Sequence, residues 1–240
     1  MIKTFCIILT LFFSVTPLTY AWNATGHKLI AEIAYLQLNP SAKQQVDIIL
    51  NHGFVNASIW ADQVRAKGND SMNTWHYINL PNPPPQKNVV DAILDCEKNL
   101  RDQNNLKGLI HWVGDVHQPL HAIARDRGGN SFYLPPNPYG KNLHQFWDNG
   151  AGILFNVKDL KKTASAWLKT YPPSEQQLAK TDPMDWAQES YYLGMTQAYV
   201  GISPKSQPSA AYIERSQLIA KKQIVLAGTR LAQIINQSSF

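Results

Sequence analysis

Cysteine is nearly missing from this 240-residue chain: Cys6 and Cys96 are the whole complement. Cys6 falls in an N-terminal leader, so the exported chain keeps Cys96 alone and an intramolecular disulfide is excluded even in an oxidising compartment. Cys96, in DAILDCEKNL, sits at a helix-like position and reads as a buried, inert thiol. Charge is also scarce, at 16% of residues against 44% hydrophobic, which excludes a disordered chain or a coiled coil. No stretch reaches the ~20 apolar residues that a membrane-spanning helix requires. Repeats and low-complexity linkers are absent as well, leaving one folding unit with a sizeable core. The formal charge of +5 is spread thinly, so it permits an anionic partner without identifying one.

What is present begins with the leader. Residues 1–21, MIKTFCIILTLFFSVTPLTYA, combine Lys3, an apolar run from Phe5 to Val15 and small residues near Ala21, the pattern of a secretory signal peptide. Cleavage after Ala21, with Thr19 at the minus-three position, makes Trp22 the new N-terminus and removes one positive charge. The expectation is a secreted or periplasmic monomer with no stable membrane association.

Apolar residues then recur at helical spacing over 26–38, 41–50, 88–100, 106–120, 159–171, 183–200 and 209–236. Turn-rich pieces interrupt them at 81–86 and 127–142, the second a loop or small β-hairpin. The expected fold class is all-α: one mostly helical domain over residues 22–240. In it the tryptophans Trp112, Trp147, Trp167 and Trp186 belong to the core, and the tail from Ile213 to Ile235 packs on the bundle.

Seven histidines remain to be explained. His111 and Asp115 are four residues apart, so on a helix they share a face and can reach one metal ion; Pro119 then ends or kinks that helix and redirects His121. His144 and Asp148 repeat the spacing. A looser group is Trp60-Ala-Asp62-Gln-Val-Arg65 followed by Trp75-His76-Tyr77-Ile78-Asn79, and His27 stands near the new N-terminus. One such pair is a poor signal by itself, since a lone helical histidine is more often a hydrogen-bonded structural residue. Two pairs with three further candidates make coincidence the poorer account. Imidazole and carboxylate donors without thiolate suit a catalytic zinc site, where bound water has its pKa lowered to about 7. His117 and His52 read as structural.

At these residues the chain resembles the zinc-dependent nucleases of the S-one/P-one type, also called type I or plant bifunctional nucleases, over essentially the whole length after the leader. The matching motifs are W-N-A-T-G-H from Trp22 to His27, Trp-Ala-Asp ending at Asp62, Trp-His-Tyr around His76, His-x3-Asp-x5-His at His111, Asp115 and His121, and His-x3-Asp at His144 and Asp148. The resemblance implies three zinc ions. One would be held by Asp62, His76, His111 and Asp115, a second by the amine and carbonyl of Trp22 with His27 and the shared Asp115, and a third by His121, His144 and Asp148. A carboxylate shared between two dications lets them hold a bridging hydroxide in line with the scissile phosphate, while the third zinc neutralises the departing 3′ oxygen. Asp62, Arg65 and Asp115 are then the expected catalytic residues, Arg65 pairing its planar fork with phosphoryl oxygens. Asn130, in Gly-Gly-Asn, matches a family position near the phosphate.

The implied activity is hydrolysis of single-stranded RNA and DNA to 5′-nucleotides, with 3′-nucleotidase activity. Tyr77 and Asn79 depart from the family's frequent phenylalanine and aspartate at the base pocket. Tyrosine still stacks, whereas asparagine adds donors and leaves base preference open. With one cysteine after the leader, the chain looks like a bacterial member, in which the sequons at Asn23, Asn56, Asn69 and Asn236 carry no meaning. Two other functions compete. A zinc phospholipase C shares the three-zinc arrangement, but Asp148, Tyr77 and Arg65 follow the nuclease pattern. A non-catalytic exported zinc-binding protein would have no use for Arg65 beside an open metal site.

Overall fold

Side-chain oxygens placed one residue before the apolar runs start most of the helices. The computed structural model describes residues 22–238; the leader expected over 1–21 lies outside them. Asn23 accepts the backbone N–H groups of Thr25 and Gly26 and opens α1 (Ala24–Gln37). Asn39, followed by Pro40, opens α2 (Pro40–Leu50). Two short helices follow, α3 (Phe54–Ala57) and α4 (Trp60–Ala66). Asn88 and Asp91 form a reciprocal capping box at α5 (Val89–Glu97), and Asp102 caps α6 (Gln103–Val116). Asn142 caps α7 (Leu143–Asp148) and Asp159 caps α8 (Leu160–Thr170). The rest is α9 (Glu175–Leu178), α10 (Pro183–Leu193) and the long α11 (Ala210–Gln237).

The fold is a single all-α domain, as the periodicity predicts, with two refinements. The helix expected over 106–120 stops at Val116, because His117 takes the cap position and Pro119 starts a separate 3-10 turn, Pro119–Ala122. The run expected over 183–200 leaves α geometry at Leu193 and finishes as one π turn, Gly194–Ala198. The insertion at 127–142 forms no ladder. Among the described residues it holds one antiparallel bridge, Tyr133 with Asn142, and is otherwise loop.

α6 runs through the middle, against α5, α11, α4 and α1, and every residue from Gly108 to Ile123 is buried. The main core joins Leu29, Ile33, Leu109, Val113, Ile224 and Leu231, with Trp112 and Trp186 inside it and Trp167 against its edge. Cys96 is buried there as a free thiol, and burial pushes its pKa up to about 12. A second apolar cluster, including Leu120, Phe132, Phe146 and Trp147, seats the insertion against Tyr199 and Tyr212. The Trp147 indole donates to the Tyr212 hydroxyl, which donates to the Ala198 carbonyl, tying α7 to α11 and the π turn.

Candidate metal centre

The four-residue spacing on α6 brings His111 and Asp115 side by side at the centre of the core, His111 Nε2 lying 3.3 Å from Asp115 Oδ2. Neighbouring elements deliver three more side chains to the same place. α1 supplies His27, its Nε2 3.3 Å from Asp115 Oδ1 and its ring stacked on His111 at 4.1 Å. A 3-10 turn, Asn73–His76, supplies His76, its Nδ1 2.9 Å from Asp115 Oδ2. α4 supplies Asp62, whose Oδ1 is 3.8 Å from His111 Nε2. The two expected sites thus form one cluster in which Asp115 turns a different oxygen to each side.

Backbone acceptors fix the imidazoles. His111 Nδ1 donates to the Ser58 carbonyl at 2.6 Å, leaving Nε2 for the cluster. Gly114 is required by contact: a Cβ there would lie 2.9 Å from His27 Nδ1, so a side chain would push His27 out of place.

The third group forms where α7 meets the Pro119–Ala122 turn. His121 Nε2 and His144 Nε2 are 3.2 Å apart, and His144 Nε2 is 3.5 Å from Asp148 Oδ2. His121 Nδ1 donates to the His76 carbonyl and His144 Nδ1 to the Gly128 carbonyl, so both present Nε2 inward. Gly128 has φ +66°, and a Cβ would meet the Leu120 carbonyl at 2.8 Å. Extended residues 77–80 run beside 121–124, with Ile78 N–H donating to the His121 carbonyl, and this couples the third group to the first cluster.

Coordinating atoms of three triads, His27/Asp62/His111, His76/His111/Asp115 and His121/His144/Asp148, lie within 4.8 Å of one another, and all these residues are buried. Five of their atoms, His27 Nδ1 and Nε2, Asp62 Oδ1, His76 Nε2 and Asp115 Oδ1, are buried without a hydrogen-bond partner. Orphaned donors of this nitrogen and oxygen type are what a borderline dication satisfies, so the residues fit a metal.

Electrostatics agrees. Burial opposes ionisation of Asp115, but the charge of His111 and the close imidazoles of His111, His27 and His76 hold it well below the usual carboxylate range. Burial lowers His111 too, yet Asp115 and Asp62 raise it to about 9. Burial and His111 lower His27, while burial and His144 bring His121 down to about 3. Asp148 goes the other way: burial pushes it well above the carboxylate range, against the pull of Gln118 and Arg65. A cation in this group would favour its ionised, ligating form.

The remaining expected residues surround these clusters. Trp22 is fully buried, its indole Nε1 donating to the Gly114 carbonyl at 3.1 Å, and Asn23 N–H donates to the Asp148 carbonyl at 2.9 Å. The backbone of residues 22–23 is therefore pinned between α6 and α7. Arg65 is half-buried one turn after Asp62, and its charge reaches Asp148. Tyr77 and Asn79 are half-buried on the face of their extended segment opposite Ile78. Asn130 donates to the Arg127 carbonyl and keeps a buried, unpartnered Oδ1 two residues after Gly128.

His117 belongs elsewhere: it donates from Nδ1 to the Val113 carbonyl and accepts at Nε2 from Arg230. His52 is exposed near Asp47. One residue escaped the sequence reading. Gln118 is fully buried and donates to Asp148 Oδ1 at 2.6 Å; its place between two histidines in H-Q-P-L-H was the available signal.

With this geometry in place, comparison with known proteins adds a family match and three relatives. The sequence profile described as S1/P1 Nuclease matches residues 22–239. Nuclease S1 of Aspergillus oryzae is 25% identical over 91% of this chain and 92% of its own length. Endonuclease 2 of Arabidopsis thaliana is 26% identical over 92% and 91%, and Nuclease P1 of Penicillium citrinum 28% identical over 62% and 65%.

Proposed function

Because the chain belongs to the S1/P1 nuclease family, we propose that it is an exported zinc-dependent phosphodiesterase, hydrolysing single-stranded RNA and DNA to 5′-nucleotides and removing phosphate from 3′-nucleotides. The observation that carries this reading is Asp115, which faces His27 with one oxygen and His76 and His111 with the other, as a carboxylate shared by two cations must.

Asp62, His76, His111 and Asp115 hold one zinc ion; His27, Asp115 and the freed amine and carbonyl of Trp22 hold a second; His121, His144 and Asp148 hold the third. When bound, these ions supply Lewis-acid charge and a water of lowered pKa. The chain's own residues do the positioning. Ser58, His76 and Gly128 carbonyls fix the tautomers of His111, His121 and His144. Gln118 holds Asp148, and burial of the whole group keeps bulk water from competing for the donors. Arg65, on the same face of α4 as Asp62, aims a planar guanidinium suited to two phosphoryl oxygens. Tyr77 offers a stacking face to a base and Asn79 hydrogen-bonding groups to its edge. An unstacked strand enters such a pocket at lower cost than a duplex.

The test is zinc analysis of the chain beginning at Trp22, together with assays on single-stranded DNA, RNA, 3′-AMP and phosphatidylcholine. Cleavage of single-stranded DNA and RNA to 5′-phosphate products is expected, together with release of inorganic phosphate from 3′-AMP. Cleavage of phosphatidylcholine with intact nucleic acid would assign a phospholipase C instead, and zinc binding without turnover a binding protein.

A further inference from the structure

His121 and His144 reach the third metal group on separate segments, and both segments lean on one support, α10 with the π turn that ends it. Trp186, Ser190 and Gly194 are spaced by four and share one face of this helix. The face meets residues 116–119, the link between Asp115 and His121. The Trp186 and His117 rings are 5.4 Å apart. Ser190 is fully buried and donates from Oγ to the Val116 carbonyl at 2.5 Å, satisfying an acceptor that the end of α6 leaves open. Gly194 backs onto Pro119, where a Cβ would lie 2.9 Å from the carbonyl oxygen. Pro119 opens the turn that carries His121, and Gln118, which holds Asp148, lies in the same link.

The π turn extends this face to the second segment. An α-helix would place Ala198 over Gly194; the π turn holds one residue more, and the Tyr199 N–H bonds to the Gly194 carbonyl at 3.2 Å. Tyr199 thus follows Gly194 on the same side, and its hydroxyl donates to the Arg125 carbonyl at 2.8 Å. That carbonyl also accepts the Gly129 N–H, closing the loop whose Gly128 carbonyl holds His144 Nδ1. Tyr199 is fixed in turn by Arg125, stacked over its ring at 4.2 Å.

Resting on the metal assignment proposed above, we infer that Ser190, Gly194 and Tyr199 are positioning residues for the third metal group. They set the separation of His121 and His144, and with it the place of the third cation relative to the shared Asp115. Each acts through backbone: Ser190 at Val116, Gly194 at Pro119 and Tyr199 at Arg125. A side chain at Gly194 displaces the His121 turn, and loss of either hydroxyl releases one of the two segments. The π turn has a purpose in this arrangement, because without its extra residue Tyr199 would turn away from the loop under His144.

The experiment compares the wild-type chain beginning at Trp22 with Ser190→Ala, Gly194→Ala and Tyr199→Phe. The control is Val46→Ala, which thins the core in α2, a helix that supplies no residue to the three groups. Stepwise zinc removal by a chelator gives the equivalents bound and the affinity of each step, and urea unfolding at saturating zinc matches the variants for stability. Each of the three variants is expected to weaken one zinc equivalent about tenfold and to leave the other two unchanged, at the lower end of the effect of removing a partner behind a ligand. With zinc saturating, Gly194→Ala should lower kcat on single-stranded DNA about tenfold with KM near wild type, because the departing 3′ oxygen loses a well-placed charge while strand binding is untouched. Val46→Ala should change neither quantity. Ser190→Ala and Tyr199→Phe add no atom, so they carry the test if Gly194→Ala does not fold. Wild-type affinity at all three equivalents in the variants overturns the positioning role. Weakening spread evenly over the three, or matched by Val46→Ala, overturns it too, since that would mean general loosening. A wild-type chain that binds no zinc overturns the metal assignment and this inference with it; three wild-type equivalents with an unmoved third step in the variants overturn the positioning role alone.

Discussion

Asp115 Oδ1 faces His27 and Asp115 Oδ2 faces His76 and His111, and this division rests on neighbours already in place, the Ser58 carbonyl that holds His111 and the bare Gly114 that admits the His27 ring. Gln118 does the same for the third group. Its Oε1 accepts the Leu120 N–H, so the amide cannot flip, and Nε2 must donate to Asp148. Gln118→Glu should replace that donor with a repelling carboxylate and weaken zinc binding at the third group about 10- to 100-fold. Chelator competition on the variant measures this; an unchanged zinc affinity would remove Gln118 from the role. Trp22 gives a second test at this scale. Its indole bond to Gly114 anchors the residue, but the proposed ligand is the amine, which is lost while Ala21 remains attached. A chain extended by one residue before Trp22 should drop one zinc equivalent and at least tenfold in activity. Trp22→Phe, which keeps the amine and loses only the indole bond, should retain far more.

Helices are where sequence and structure agree best, because caps and periodicity are local signals. Asn23, Asn39, Asn88, Asp102 and Asp159 precede the apolar runs and cap α1, α2, α5, α6 and α8 in the fold. The His-x3-Asp pairs on α6 and α7 were legible for the same reason. What stayed hidden is long-range or too short for a period. α4 spans seven residues with no side-chain cap. The pairing of 77–80 with 121–124 joins segments whose sequences do not announce each other. His117 was readable as structural but its partner was not, since Arg230 comes from α11. Arg230 is 1% exposed, also donates to the Gln177 carbonyl and forms an ion pair with Glu189. Arg230→Met should leave Glu189 and His117 short of a partner and cost about 3 kcal/mol in urea unfolding. Burial and the Arg230 charge hold His117 well below its ordinary pKa, so the folded chain keeps it neutral while the unfolded chain takes a proton below pH ~6.5. Its stabilising share is complete above that pH and is lost as pH falls. The slope approaches ~1.4 kcal/mol per pH unit, and His117→Gln should flatten the unfolding profile between about pH 6.5 and 5.

At the scale of the molecule, the chain has no disulfide among its described residues and places three groups of buried imidazoles and carboxylates between its helices. Apolar packing around α6 must therefore bear the cost of desolvating those groups, unless cations offset it. No single element contains a complete group: the first cluster draws on α1, α4, α6 and the His76 turn, the third on α7 and the Pro119–Ala122 turn. Ions bound there are cross-links between elements, and binding that favours the folded state adds RT ln(1 + [L]/Kd) to stability. At a hundredfold excess over Kd this is about 2.7 kcal/mol for one site, and for a domain of this size each kcal/mol moves the melting temperature by ~2–4 °C. Stripping zinc with a chelator should thus lower the melting temperature by at least ~5 °C and abolish phosphodiester hydrolysis, with zinc restoring both. Magnesium should restore neither, because it prefers all-oxygen shells to imidazole. Differential scanning calorimetry of stripped and reloaded protein decides the point: identical transitions would mean that the buried groups are stable without cations and would sink the metal assignment.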